Sequence, residues 1–256
     1  MSVRRLLSSL LLPILSLAAG CATTLPPPRE APSEDARRAV GLLAARWRAF
    51  TDLRALADVR LARGGDKQQF TGALLLKAPD SLRFEALSPF GQPLLLATMH
   101  DGQIVTYNVA ANAAVVGPAT AQTAARLFSL PVEPEELVGV LAGHAVPPKD
   151  LRVATILPPD PQGPSLEMIG ALHRQRVWMD LATGIVRRIQ ITGGRVEALV
   201  TYQRAADGTL TGFEMSAGQD NVTGSVRYRD LVIGAGVDSE RFRLTVPEGA
   251  AIERLR

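Results

Sequence analysis

Residues 53–61, LRALADVRL, set Leu53, Ala55, Ala57, Val59 and Leu61 on alternate positions, with Arg54, Asp58 and Arg60 among the residues between them. A period of two means a strand with one buried and one solvated face. The pattern continues downstream. Phe70, Gly72, Leu74 and Leu76 alternate in the same way, and Leu82, Phe84 and Ala86 alternate with Arg83 and Glu85. Apolar stretches follow at Leu94–Met99, Ile104–Val109 and Ala113–Val116. Turn chemistry separates them: Gly64-Gly65-Asp66, Ala78-Pro79-Asp80, Pro89-Phe90-Gly91 and Asp101-Gly102. Short strands joined by tight turns imply an antiparallel meander.

The helices are few and clustered. Ser33 is an N-cap, with Glu34 and Asp35 in the first turn where the dipole favours acids. Ala36, Val40, Leu43, Trp47 and Phe50 then form one helical face that must cover something. A second helical stretch over Thr120–Leu130, with Ala124, Leu127 and Phe128 on one side, ends at Pro131. A third opens at Pro134 and stops at Gly143. Glu133, Glu135 and Glu136 read as dipole complements rather than catalytic carboxylates. After a proline-rich connection (Pro147-Pro148, then Pro158 to Pro164), strands resume at Leu166–Leu172, Arg176–Leu181, Ile185–Thr192, Val196–Tyr202, Leu210–Ser216 and through Val222, Val226 and Tyr228. The expectation is about eleven strands in one α+β domain over residues 33–256. Helices this few cannot alternate with strands in a doubly wound sheet.

The N-terminus sets the compartment. Arg4 and Arg5 precede an apolar run from Leu6 to Leu17, and Ala18-Ala19-Gly20 supply small residues ahead of Cys21. Residues 1–20 therefore read as a secretory signal peptide. Cys21, the single cysteine of the chain, stands where bacterial lipoproteins carry their lipidated residue, although Ala18 occupies the position at which such sites usually have Leu. A diacylglycerol thioether with an N-acyl chain would hold the protein stably at a membrane. Ala22, in place of the Asp that retains lipoproteins at the inner membrane, favours the outer membrane, facing the periplasm. Residues 21–32, with ATTLPPPREAP after the cysteine, form a lipidated, proline-rich tether.

Composition removes several classes of function. The chain has 256 residues, 46% hydrophobic and 21% charged, which excludes a disordered polymer. One cysteine excludes a disulfide framework and a Cys-rich metal site. The formal charge of +3 falls to +1 once Arg4 and Arg5 leave with the signal, so no basic footprint for nucleic acid remains. G-x-S-x-G, H-E-x-x-H, G-x-x-x-x-G-K-[ST] and G-x-G-x-x-G motifs are all absent. His100, His144 and His173 have no metal-ligand spacing. Nothing in the sequence asks for an enzyme, a cofactor or a metal. What remains is a twisted sheet with one aliphatic face, either packed solid or hollowed for an apolar ligand. With 5% aromatic residues, its lining suits acyl chains better than planar rings.

In order of features, the chain resembles the LolA/LolB superfamily of periplasmic lipoprotein carriers, and in pattern the LolB branch. The resemblance rests on Trp47-Arg48 leading into Leu53–Arg63, on Leu87-Ser88-Pro89-Phe90-Gly91-Gln92, and on Ala125–Val132 followed by Leu137–Gly143. It implies an antiparallel half-barrel with an N-terminal helix and mid-chain lid helices. It implies lipid acyl chains or lipoprotein cargo as ligand, a periplasmic carrier protein as donor, and a role in lipoprotein sorting or insertion at the outer membrane. By this resemblance Pro89, Phe90 and Gly91 form a membrane-insertion loop. The acyl cavity expected under the lid is lined by Phe70, Leu74, Leu76, Leu82, Phe84, Leu94, Leu96, Leu127, Phe128 and Leu141. The stretch Asp238–Arg256 extends beyond that pattern. Two alternatives stay open: a LolA-like lipoprotein carrying another lipid or glycolipid, and a non-enzymatic assembly lipoprotein with a packed core.

Overall fold

The computed structural model describes residues 27–128, 132–193, 196–218 and 222–255. Residues 1–26, with the expected signal peptide, Cys21 and the first part of the expected tether, lie outside the described residues, as does the side chain of Phe128. Helix α1 (Glu34–Ala49) is capped by Ser33, whose hydroxyl accepts from the Ala36 N–H. Its stripe of Ala36, Ala39, Leu43 and Trp47 is buried. Six strands follow: β1 (Asp52–Arg63), β2 (Asp66–Lys77), β3 (Ser81–Leu87), β4 (Pro93–His100), β5 (Gln103–Asn108) and β6 (Ala113–Pro118). Helices α2 (Ala121–Phe128) and α3 (Pro134–Leu141) interrupt the sheet. It resumes with β7 (Val153–Asp160), β8 (Gly163–Ile169), β9 (Arg174–Met179), β10 (Val186–Gly193), β11 (Val196–Arg204), β12 (Leu210–Ala217) and β13 (Val222–Ile233), and ends with β14 (Ala251–Arg254).

All fourteen strands join one sheet in the order β14-β6-β5-β4-β3-β2-β1-β13-β12-β11-β10-β9-β8-β7. The end strands do not pair, so the sheet is an open, curled half-barrel rather than a closed one. Every ladder is antiparallel except β14 on β6. The expectation of about eleven strands was low for physical reasons. Strand β7 contains Pro158 and Pro159, which cannot donate to a ladder. They are tolerated because β7 is an edge strand, and its register shifts across them, between Leu157 and Asp160. Strand β14 is exposed throughout and carries no alternating signal.

The register sorts the side chains by face. Leu53, Leu76, Leu82, Met99 and Ile104 stand directly opposite one another across β1–β5. Each is 5% exposed or less. The row Leu166–Val177–Ile189–Val200 does the same across β8–β11. Helices α1 and α3 fill this concave side and share one apolar core with both rows. Burying a Leu or Ile side chain contributes roughly 1.5–3 kcal/mol, so this face supplies the main driving force for folding.

Because neighbouring strands run up and down, the hairpins fall on two rims. The turns at 64–65, 88–92, 109–112 and 170–173 share one rim, here the distal rim. Those at 78–80, 101–102, 180–184 and 205–209 share the other. Residues 27–30 meet the body on the distal side. The Glu30 N–H donates to the Arg152 carbonyl, and the Arg152 guanidinium donates to the Pro27 carbonyl, immediately before β7 begins.

The segment beyond β13 straps across the outer face. Buried Asp52 accepts from the N–H groups of Ala235 and Gly236 and fixes the exit from β13. The Lys77 ammonium donates to the Val237 carbonyl and the Ser239 hydroxyl. Phe242 is fully buried with Leu75 and Val237, against the His100 ring. The strap then delivers β14 to β6 and covers an edge that would otherwise be open to pairing with another chain. Truncation of Phe242 to Ala is expected to cost about 3 kcal/mol by cavity formation and to release β14. Urea denaturation, with proteolysis of the C-terminus, checks both effects.

Candidate functional site

The helical cover over the concave face ends at a defined row. The Tyr228 hydroxyl donates to the Leu141 carbonyl at 2.7 Å and the Tyr202 hydroxyl to the Val140 carbonyl at 2.8 Å. The Arg204 guanidinium donates to the Gly143 carbonyl at 2.8 Å. These three side chains tie the end of α3 to the sheet, the Val140 carbonyl also accepting from the Gly143 N–H. Burial pushes the pKa of both tyrosines up, so they stay neutral donors.

Tyr228 stands opposite Ala57, and Ala57 opposite Gly72. Beyond that row, toward the distal rim, the concave face loosens. Leu61, Phe70, Met215 and Val226 pack on the core but are only half-buried, and so is Phe84, which pairs with Leu74 one step nearer the opposite rim and lays its ring over Gly72. Phe70 and Phe84 meet edge to face at 6.2 Å. Glycines let these long side chains lie flat over the strands. A Cβ on Gly72 would run into the Phe84 ring, and one on Gly224 would come within 3.0 Å of Leu61 and 3.1 Å of Met215. The result is an apolar mouth, aromatic on one wall and aliphatic on the other.

The expected lining residues divide into three groups. Leu74, Leu76 and Leu82 are buried in the packed core. Phe70 and Phe84 are at the mouth, while Leu127 on α2 and Leu141 on α3 pack half-buried against the core. Leu96 is on the other face of the sheet, in the row Ala73–Glu85–Leu96–Tyr107. Leu94 sits beside a register shift at the start of β4 and is 48% exposed, whereas Leu95 is the residue that pairs with Ala86 on the concave side. The run Leu94-Leu95-Leu96 carries no alternation, and the bulge inverts its parity. Leu61, Met215 and Val226 were missed, although each continues an alternating strand pattern.

The loop at 88–92 is a built structure. The Ser88 hydroxyl accepts from the N–H groups of Phe90 and Gln92, the Ser88 N–H donates to the Gln92 carbonyl at 2.7 Å, and Gly91 adopts φ +78°. This turn holds Phe90 away from the sheet, 89% exposed. Leu94, Leu95 and Val109 are exposed beside it, with the Val109 N–H donating to the Leu94 carbonyl. An apolar tip of this kind is costly in water and points to a partner surface.

Two open recesses of about 670 and 790 Å³ lie mainly on the opposite, outer face. One is lined by Arg60, Lys67, Arg188 and Glu214, the other by Arg54, Arg83, Glu85 and Arg241. Charged groups stand in both beside apolar ones, Leu61 and Met215 in the first and Leu56 and Leu75 in the second, so the half-buried mouth, whose named side chains are all apolar, is the better candidate.

The glutamates of α3 do more than complement a dipole. Glu133 and Glu136 form a capping box. Buried Glu136 also accepts from Gln175 Nε2 at 2.9 Å and lies 3.2 Å from His173 Nε2. Glu135 accepts from the Trp47 indole at 2.7 Å. Together they pin the start of α3 to β9 and α1. His144, just after α3, packs against the stacked rings of Trp47 and Phe50. Burial, with smaller contributions from Arg46 and Arg204, lowers its pKa from 6.5 to about 4. The unfolded chain thus takes up a proton near pH 6.5 that the folded chain refuses until about pH 4. Stability from this group is complete above pH 6.5 and is lost as the pH falls toward 4, by up to about 3 kcal/mol. Denaturant titrations across that window should show the slope, and His144→Gln should flatten it.

The chain is a curled antiparallel sheet with helices in its concavity and half-buried apolar side chains toward one rim. No family model and no curated protein sequence matches the chain. Solved structures share its fold. An outer membrane lipoprotein-sorting protein domain from Vibrio parahaemolyticus has 16% identity and a TM-score of 0.56, covering 81% of this chain and 97% of its own. A LolA superfamily protein from Nitrosomonas europaea has 11% identity and a TM-score of 0.56, covering 82% and 97%. A DUF1329 family protein from Desulfovibrio piger has 12% identity and a TM-score of 0.59, covering 82% and 98%. The chain thus has the LolA/LolB-like fold.

Proposed function

We propose that this protein is a lipid-anchored envelope protein that takes an acyl chain into the mouth formed by Leu61, Phe70, Phe84, Met215 and Val226. In this role it serves lipoprotein sorting or insertion at the outer membrane, with Cys21 as the anchored residue. The observation that carries the reading is positional. The exposed Phe90 tip and the loosened apolar end of the concave face lie on the same rim of the sheet. A chain leaving the mouth therefore emerges on the side where an apolar side chain is already presented to a bilayer. The fold shared with a lipoprotein-sorting domain supports cargo of the same kind. A vesicle-delivery assay with an acylated cargo lipoprotein, run on wild type and Phe90→Glu, tests it. Equal delivery by both proteins removes the loop from the function.

A packed-core assembly role is favoured by the two rows under the helices, where Leu53, Leu76, Leu166 and Ile189 are essentially inaccessible. It leaves the mouth and Phe90 without a purpose.

A further inference from the structure

We propose that the distal rim as a whole is a bilayer-docking surface, with Leu172 in the β8–β9 turn as a second apolar contact across the rim from Phe90. The proposal rests on the carrier reading above and adds the orientation in which the body meets the membrane.

Three observations carry it. Among the described residues, eight large apolar side chains are exposed, and five of them, Phe90, Leu94, Leu95, Val109 and Leu172, lie on this rim. Leu172 is 53% exposed in a turn that is held in place. There the Gly170 N–H donates to the His173 carbonyl at 3.1 Å, the Ala171 N–H donates to Asp150 at 2.7 Å, and His173 itself is buried. The leucine is therefore presented by a fixed turn, as Phe90 is by Ser88.

The third observation is the tether. Pro27 is bonded to Arg152, at the start of β7 and beside the 170–173 turn. Cys21 stands six residues before Pro27. Six residues span at most about 20 Å, so an anchored Cys21 keeps this rim within that distance of the bilayer. The opposite rim is farther away by the length of the strands. A leash beside Leu172 and an apolar tip at Phe90 define two feet on opposite walls of the half-barrel, and the mouth between them then faces the lipid. A single loop would leave the tilt of the body free, whereas two feet fix it.

Tryptophan at each foot tests this in the full lipid-anchored chain, because native Trp47 and Trp178 are buried and contribute a constant background. The protein is reconstituted on vesicles of phosphatidylethanolamine and phosphatidylglycerol, with or without brominated acyl chains. Leu172→Trp and Phe90→Trp should both shift to the blue and lose most of the added emission in brominated vesicles. In the anchor-free Cys21→Ala protein, Leu172→Gln should weaken vesicle partitioning about tenfold without lowering the melting temperature. Quenching of Phe90→Trp alone, with Leu172→Gln partitioning like wild type, overturns the second foot and leaves the carrier reading intact. Silence of both tryptophans overturns the docking surface even if acyl binding persists. Quenching of both in a protein that binds no acyl chain upholds the surface and removes the carrier reading instead.

Discussion

Phe90→Glu is expected to leave the melting temperature within about 2 °C of wild type while cutting delivery of acylated cargo into vesicles by an order of magnitude or more. The two halves of this result have separate causes. Phe90 is 89% exposed and touches no core residue that depends on it, so its replacement removes little from the folded state. Ser88 and Gly91 shape the turn, and neither is altered. In the membrane-bound state the same ring buries its area in hydrocarbon, worth up to about 1.5–3 kcal/mol, or roughly tenfold to a hundredfold in partitioning. A carboxylate forfeits that and adds the cost of bringing a charge toward lipid. Differential scanning calorimetry and the vesicle assay together read both halves. A collapse of the melting temperature would make Phe90 a structural residue.

Removing the Glu136 side chain as Glu136→Ala should destabilise the protein by about 3 kcal/mol, a large fraction of the stability of an ordinary domain. Its carboxylate receives the Glu133 N–H and the Gln175 amide and faces His173, all in a buried setting. Alanine leaves the Gln175 and His173 groups without this acceptor, and an unpaired buried polar group costs about 1–3 kcal/mol. It also undoes the capping box at the start of α3. Hydrogen exchange should then show α3 opening well below the global unfolding free energy, with β1 and β2 still protected. Glu136→Gln keeps one acceptor oxygen and should lose less. An alanine variant as stable as wild type would mean that the helix is held by its apolar face alone.

What could be read in the sequence depended on whether one face of an element was buried. The alternation of 53–61 and 70–76 is visible because each strand has one wet face, and the register confirms both. Ser33 and the stripe from Ala36 to Trp47 define α1 for the same reason. Strands β7 and β14 escaped notice because edges carry prolines or exposed residues rather than alternation. Leu96 was misplaced because a uniform leucine run conceals its parity and a bulge resets it. The purpose of Glu136 was hidden altogether. Its partners Gln175 and His173 are more than thirty residues away in sequence, and a first-turn glutamate looks the same whether its carboxylate meets water or a buried amide. Phe90 was legible through the resemblance of Leu87–Gln92 to a carrier loop, and a bulky aromatic between Pro89 and Gly91 is out of place in a turn.

Native mass spectrometry of the Cys21→Ala protein, purified from cells without delipidation, tests the central claim most directly. The account predicts a folded soluble body carrying an adduct of fatty-acyl mass. Phe84→Ser sets a hydroxyl against the apolar mouth, at a cost of about 1–3 kcal/mol wherever it finds no partner. Because Phe84 is only half-buried over Gly72, this variant should lose the adduct and keep its fold. A wild-type body that carries no adduct and binds no added fatty-acyl probe, together with a Phe84→Ser variant that unfolds outright, would show the concave face to be packed core and contradict the account.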